Sequence, residues 1–423
     1  MGAMATRPPD PHPESPGVPA RRAALRLLDA VLRRGEPLEA ALPGAARGLT
    51  GPDRGLAHAL AAEALRWLPD LDALIDSATR QRLPDDAKAR FVLRLALTQA
   101  LALGTPGHAA IATVLPLVDG GPRKLVHGVF GTLMRGQARL PAMPTLPGDT
   151  AARWTAAWGA DAAMAAGRAF AAPPPLDLSL RGGPVEGLDG RSLAPGHLRL
   201  DAPTPVTDLP GFADGRWWVQ DIAASLPARL LGRGAGTVLD LCAAPGGKAM
   251  QLAAAGWRVV AVDASESRLA RLRDNLARTR LDAKVIRADL TSWAPAAPAD
   301  AVLLDAPCSA TGIFRRHPDV LHRIRPAVIE EMAVLQATLF ARAADWVRPG
   351  GLLVYATCSL EPEEGEHQLE RFLAARRDYA IERPRPDEIP VPATDHGWVR
   401  TLPGTLEANG GCDGFFMVRL RRR

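Results

Sequence analysis

The sequence predicts an all-α unit followed by a doubly wound α/β unit, on three observations. Apolar residues recur at three- and four-residue spacing through residues 21–140. From about Val219 onward, short β-type runs alternate with helix-length segments. The first of those runs ends in a Gly-rich turn at Gly246 and Gly247. Regular β-α alternation implies a parallel sheet with helices on both faces and a ligand at the carboxyl ends of the strands.

The chain has 423 residues, 47% hydrophobic and 23% charged, enough for two or three packed domains, which excludes a peptide or a fibre. Residues 1–19 carry Pro8, Pro9, Pro11, Pro13, Pro16 and Pro19 and read as a disordered leader without the apolar core of a signal peptide. Residues 20–145 form the all-α unit, with Ala24, Leu27, Leu28, Val31 and Leu32 on one helix face and Phe91, Val92, Leu95 and Leu101 on another. A Pro-rich boundary at 140–147 follows. Residues 146–218, with a Trp/Ala helical stretch, Pro173 to Pro175 and alternating Leu176, Leu178 and Leu180, read as a small α+β insert. Residues 219–423 form the α/β unit, with strands at 237–241, 259–262, 285–286, 301–304 and 352–355 and helices at 265–279 and 326–347.

The formal net charge is +5, from 51 Lys and Arg against 46 Asp and Glu. That excess is local: residues 20–145 hold 17 cations against 11 anions, while 146–423 hold 33 of each. Arg21, Arg22, Arg26, Arg33 and Arg34 lie on the first helix, where they read either as an RNA-contacting face or as an ordinary solvated one. No apolar run has the length of a membrane span. Four cysteines, Cys242, Cys308, Cys358 and Cys412, are widely spaced and form neither a CxxC motif nor a Cys/His cluster. Neither a disulfide framework nor a metal site is indicated, and a reducing cytosol is the expected compartment.

The strand ends carry the chemistry. The run from Asp240 to Lys248 is a strand-to-helix turn that fits neither GxGxxG nor the Walker pattern, which disfavours phosphate binding and leaves either a packing turn or a cofactor loop. Asp263 closes the next strand 23 residues after Asp240, at the spacing of a carboxylate that accepts ribose hydroxyls, and Asp289 ends a third strand where an adenine amino group could meet it. Each Asp alone reads as a cap or solvated turn, but three at successive strand ends beside a Gly-rich turn favour a nucleoside cofactor. Two further ends carry thiols, Cys308 in Asp305-Ala-Pro-Cys-Ser309 and Cys358 in Thr357-Cys-Ser359. A single thiol is usually inert core; two at adjacent strand mouths suggest chemistry. Only four of the cations are Lys, so Lys248 in the cofactor turn stands against the composition.

Through these four motifs in order, 240–248, 305–309, 357–359 and the terminal Asp413-Gly-Phe-Phe416, residues 219–423 resemble the S-adenosylmethionine-dependent RNA cytosine-5 methyltransferases. The helical unit resembles the NusB-type RNA-binding module of bacterial small-subunit ribosomal RNA methyltransferases of the RsmB (Fmu, Sun) group. The resemblance implies a Rossmann-like fold and S-adenosylmethionine held by Cys242, Ala243, Ala244, Pro245, Gly246, Gly247 and Lys248, with Asp263 on the ribose, Asp289 by the adenine and Asp305 at the edge between cofactor and base. It makes Cys358 the nucleophile at C6 of cytosine and assigns Cys308 to enzyme release. Asp305 would hold the N3/N4 edge of the base with Lys248 assisting in the same pocket. Thiol addition turns a poorly nucleophilic C5 into an enamine carbon, and it needs the base out of its stack.

The expected partner is small-subunit ribosomal RNA, met by a cytoplasmic monomer, with Arg315, Arg316 and His317 suited to its backbone or forming an ordinary basic loop. The family pattern has a histidine where this chain has Cys412; Cys242 reads as structural and Phe415 and Phe416 as sheet core. Three rivals stand. Transfer RNA could undergo the same reaction, a DNA cytosine methyltransferase would use Cys308 as nucleophile, and a non-catalytic RNA-binding assembly factor would keep the fold without the cofactor.

Overall fold

The computed structural model describes residues 15–171, 173–200 and 205–423. Most of the expected leader, residues 1–14, lies outside them, but the leader ends earlier than expected because Val18 already opens the first helix. Gly17, with φ at 85°, turns the chain into that helix, and Pro19 suits its first turn, where an N–H would have no intrahelical acceptor.

The described residues form two compact units, one from those up to 145 together with 317–323, the other from those of 146–316 together with 324–423. The first holds helices α1 (Val18–Arg34), α2 (Leu38–Ala45), α3 (Gly51–Arg66), α4 (Leu68–Ser77), α5 (Lys88–Leu97), α6 (Gly107–Val114) and α7 (Gly120–Arg135). Leu27, Leu28 and Val31 of α1 meet Leu60 and Leu65 of α3 and Phe91, Val92 and Leu95 of α5 in one apolar core, as helical periodicity demands. Helix α5 is buried all round, and its two arginines are matched by acids on α4. Arg94 grips both oxygens of Asp72 at 2.8 Å, and Arg90 reaches Asp72 at 3.1 Å and also pairs with Asp76. Two of this unit's cations are therefore interior and neutralised, and its basic excess lies elsewhere.

The second unit begins with α8 (Gly148–Trp158) and α9 (Ala160–Phe170) and a three-stranded antiparallel sheet, β1 (Leu176–Leu180), β2 (His197–Leu200) and β3 (Trp217–Val219), ordered β2-β1-β3. Residues 146–218 are thus part of this compact unit. Burial raises the pKa of Asp177 on β1, but hydrogen bonds from Arg199 and His197 outweigh it and bring it down to about 2.

Then follow α10 (Ile222–Leu231), β4 (Thr237–Leu241), α11 (Gly247–Ala254), β5 (Arg258–Asp263), α12 (Glu266–Thr279), β6 (Lys284–Arg287) and β7 (Ala299–Asp305). A short helix α13 (Val320–Arg323) belongs to the helical unit. The chain closes with α14 (Pro326–Asp345), β8 (Val347–Thr357), α15 (Glu366–Ala375), β9 (Tyr379–Ile381), β10 (Val399–Thr401) and β11 (Phe415–Arg422). The large sheet is ordered β10-β11-β8-β7-β4-β5-β6, with β9 on β11. Strands β4 to β8 pair parallel, but β11 runs antiparallel to β8, β9 and β10, so the sheet is mixed and not wholly parallel as expected. Alternate residues face opposite sides: Val238, Leu303 and Val354 in one apolar cluster, Leu239, Leu304 and Tyr355 in the other. Strand order reverses beside β4, between β5 on one side and β7 on the other, and the crevice at that switch is where an open α/β sheet binds its ligand.

Candidate active site

The turn after β4 is built for close approach. Cys242 adopts φ 60° and Gly246 φ 105°, a left-handed conformation that side chains resist. A Cβ on Gly246 would lie 3.0 Å from Leu272, and one on Gly247 3.4 Å from Gln220. Asp263 locks the turn to the end of β5: its carboxylate accepts the N–H of Ala244 at 3.1 Å and of Ser265 at 2.9 Å. Asp289 is exposed beyond β6, and hydrogen bonds from the hydroxyl and N–H of Thr291 lower its pKa. Cys242, Asp263, Asp289, Asp305, Cys308 and Cys358 all line one cavity of about 500 Å³ at the switch point.

At the mouth of β7, Asp305 accepts a hydrogen bond from Lys248 Nζ at 2.8 Å. Burial works against the Lys248 ammonium, but Asp305 and Asp240 more than offset it, so its pKa stands above the ordinary lysine value. The two reactive thiol candidates meet there: Cys308 Sγ and Cys358 Sγ are 3.4 Å apart. The hydrogen bond to Cys358, with burial added, holds Cys308 well above the usual thiol range. Asp240, at the end of β4, is fully buried with both carboxylate oxygens lacking a hydrogen-bond partner. Burial pushes its pKa up to about 8 against the pull of Lys248. A second cavity of about 340 Å³, lined by Trp218, Gln220, Lys248 and Asn275, shares Asp305 with the first.

The cavity of about 500 Å³ thus gathers Asp263, Asp289, Asp305 and the Cys308–Cys358 pair in its lining. Residues 229–421 match the family model of 16S rRNA methyltransferase RsmB/F, and residues 18–131 match the NusB family. Ribosomal RNA small subunit methyltransferase B of Cronobacter sakazakii is 32% identical over 95% of this chain and 98% of its own length. Its counterpart in Xanthomonas campestris is 35% identical over 96% of this chain and 97% of its own. The chain belongs to the RsmB/F family of 16S rRNA methyltransferases. A solved methyltransferase homolog from Pyrococcus horikoshii is 26% identical, with a TM-score of 0.54 over 64% of this chain and 94% of that one.

An RsmB/F member needs room for S-adenosylmethionine, and the cavity suits it in size and in donor set, with carboxylates to accept hydroxyl and amino hydrogens. Cys242 lines the cavity, with its pKa pushed far up mainly by burial, and Cys412 is 4% exposed in an apolar cluster.

Arg315 and Arg316 differ from the expectation of an RNA-facing loop. Arg315 is 4% exposed and donates to the Gly410 carbonyl. Arg316 is held between Asp221, at 3.0 Å, and Asp413. Two acids this deeply buried require a cation, so the charge turns inward; His317 falls in the helical unit. On α1, Arg26 is exposed, Arg22 half-buried, and Arg21 is tied to the Gln99 side chain at 2.7 and 2.9 Å. Arg26 borders a groove of about 600 Å³ with Arg33, Arg34, Lys88 and Phe91, in which Asp29 and Glu36 pair with Arg33 and Arg34.

Two features escaped the sequence. Gly312 links three motifs: its N–H reaches the Cys358 carbonyl at 2.9 Å and its carbonyl takes the Gly414 N–H at 2.9 Å. A Cβ there would lie 2.0 Å from the Gly414 oxygen. Glu364, in a Pro-Glu-Glu-Gly run, is fully buried between the two thiol loops. The available signal was the pair of serines following the pair of cysteines, since buried hydroxyls need an acceptor.

Proposed function

We propose that this chain transfers the methyl group of S-adenosylmethionine to C5 of a cytosine in small-subunit ribosomal RNA, through a covalent adduct between Cys358 and C6. The observation that carries the proposal is the meeting of two thiols at 3.4 Å beside the Lys248–Asp305 ion pair, within the cavity at the switch point.

Asp263 would hold the ribose and Asp289 the adenine, with residues 242–248 around the methionine. Bound so, S-adenosylmethionine supplies an electrophilic methyl group. Cys358 Sγ attacks C6 as a thiolate, and the C5=C6 electron pair moves towards C5. Asp305 keeps a proton on the N3/N4 edge as charge builds there, and the Lys248 ammonium, which interacts electrostatically with both Asp305 and the Cys358 sulfur, steadies the anionic species. After methylation, water takes the C5 proton, the electron pair of that C–H bond restores the C5=C6 double bond, and the Cys358 thiolate leaves C6. Cys308, kept as a thiol beside it, assists that release. The RNA docks on the helical unit, with Arg21, Arg22 and Arg26 the candidate contacts, of which Arg26 is the exposed one. The substrate places the enzyme in the cytoplasm.

Separate substitution of the thiols tests the chemistry. Cys358→Ala is expected to abolish methyl transfer, while Cys308→Ala accumulates a covalent RNA complex visible on a denaturing gel; full activity of Cys358→Ala would refute the mechanism. Calorimetry should show S-adenosylmethionine binding that Asp263→Ala loses. Bisulfite mapping of total RNA, with and without the protein, checks the substrate. A signal lost from transfer RNA alone would remove ribosomal RNA from the proposal.

A further inference from the structure

The ladder between β7 and β8 ends at Asp305 and Ala356, with one further bond from the Ala306 N–H to the Ala356 carbonyl at 2.9 Å. Cys308 lies three residues beyond Asp305, and Cys358 one residue beyond Thr357, the last position of β8 that the sheet pairs, so both sulfurs are carried on loops just past the sheet. Each is followed by a buried serine, Ser309 and Ser359. One carboxylate receives both. Glu364 Oε2 accepts hydrogen bonds from the hydroxyls of Ser309 and of Ser359, and Oε1 accepts the Ser309 N–H at 2.8 Å and the Gln336 amide at 3.0 Å. The Glu364 carbonyl is itself fixed by the hydroxyls of Tyr355, at 2.8 Å, and Thr357, at 3.2 Å.

A fully buried glutamate is costly to keep, and burial raises its pKa while the serine hydroxyls pull it back. Two hydroxyls facing each other at 3.2 Å have no need of a charge, because either can donate to the other. A carboxylate adds shorter, stronger and directional bonds from both loops to a single point. The bonds converge on the residues next to the sulfurs and so set the backbone that carries them.

We propose that Glu364 is a positioning residue, which fixes the separation of the Cys308 and Cys358 sulfurs by clamping the serine that follows each. Its catalytic consequence rests on the reading of Cys358 as nucleophile; the clamp itself does not. A thiol displaced by about 1 Å from its attack geometry can lose about 100-fold in rate.

The test uses the full chain with Glu364→Gln, and Ser359→Ala as a milder second variant. A ruler that needs no activity is the rate at which diamide, a two-electron oxidant that takes up both thiol hydrogens, joins Cys308 to Cys358, followed by peptide mass spectrometry. Glu364→Gln is expected to slow that cross-link at least about tenfold and to lower kcat by about 100-fold, with the KM for S-adenosylmethionine changed less than about threefold. Ser359→Ala should fall between it and the parent on both measures. An unchanged cross-linking rate in either folded variant overturns the proposal, as does a loss of kcat matched by an equal loss of cofactor binding. If Glu364→Gln does not fold, Ser359→Ala decides by the same criteria. A slowed cross-link in a protein whose Cys358→Ala variant still methylates would sink the reaction mechanism and leave the clamp standing.

Discussion

In the helical unit the interior cations Arg90 and Arg94 face Asp72 and Asp76, so each charge has a fixed counter-ion. In the α/β unit Asp240 ends β4 fully buried with neither oxygen bonded, next to a cluster that already holds Lys248, Asp305 and Asp263. The first arrangement ties α4 to α5. The second crowds like charges at a cavity, where raised and lowered proton affinities serve chemistry better than stability. The same substitution, Asp to Asn, should therefore act in opposite directions in the two units.

The largest effect is expected at Asp240. Folding holds its pKa at about 8, while the unfolded chain ionises near the ordinary carboxylate value. Between those limits the unfolded state has lost its proton and the folded state has not. Stability of the α/β unit should therefore fall as pH rises from about 4 to about 8, by as much as about 1.4 kcal/mol per pH unit. Asp240→Asn removes that slope and makes the unit more stable at pH 8 than its parent. Urea titrations across the range check it, and equal slopes in the two proteins would show that Asp240 is ionised in the fold.

At Asp72 the sign reverses. Asp72→Asn leaves Arg94, 3% exposed, without its bidentate partner and strips one of two acids from Arg90. Breaking a pair this deep costs about 4 kcal/mol, because the remaining charge stays out of water. Urea unfolding at neutral pH, followed by hydrogen exchange in peptides from α4 and α5, measures it. A loss below about 1 kcal/mol would mean that water reaches the arginines and that the two units do not differ in the way described.

The comparison also explains what could be read from the sequence. Strands β4 to β8 and the helices between them were legible, since a residue at the end of a short parallel strand is placed by the sheet itself. Asp240, Asp263 and Asp305 belong to this class; the two cysteines lie on loops just past such strand ends. Residues placed by side-chain partners far along the chain were not. Arg316 looked like a free cation until Asp221 and Asp413, each 95 or more residues away, came to face it. Glu364 had no signal of its own for the same reason, since its partners Ser309 and Gln336 lie 55 and 28 residues away. The antiparallel β11 was hidden because its Phe-Phe-Met-Val run marks core without giving strand direction.

The smallest effect separates the units by the sign of their pH dependence. His322 lies in the segment 317–323 that belongs to the helical unit, with its Nε2 donating to the Leu65 carbonyl at 2.6 Å. Burial lowers its pKa to about 4; the Leu65 carbonyl and the nearby Asp319 and Asp72 favour the protonated form, and Arg94 opposes it. The imidazole is therefore neutral in the fold at a pH where the unfolded chain already carries the proton. Stability of this unit should fall as pH drops from about 6.5 to about 4, by up to about 3 kcal/mol, the opposite of the Asp240 trend. His322→Gln keeps an amide donor for Leu65 but cannot take up that proton, so it should flatten the acid limb while leaving the alkaline slope of the α/β unit untouched. Hydrogen exchange in peptides from α3 and from β4, followed from pH 4 to pH 8, reads the two slopes in one experiment. Parallel slopes in α3 and β4 would show that the units respond to pH as one body and that the division of buried charge between them does not govern their stability.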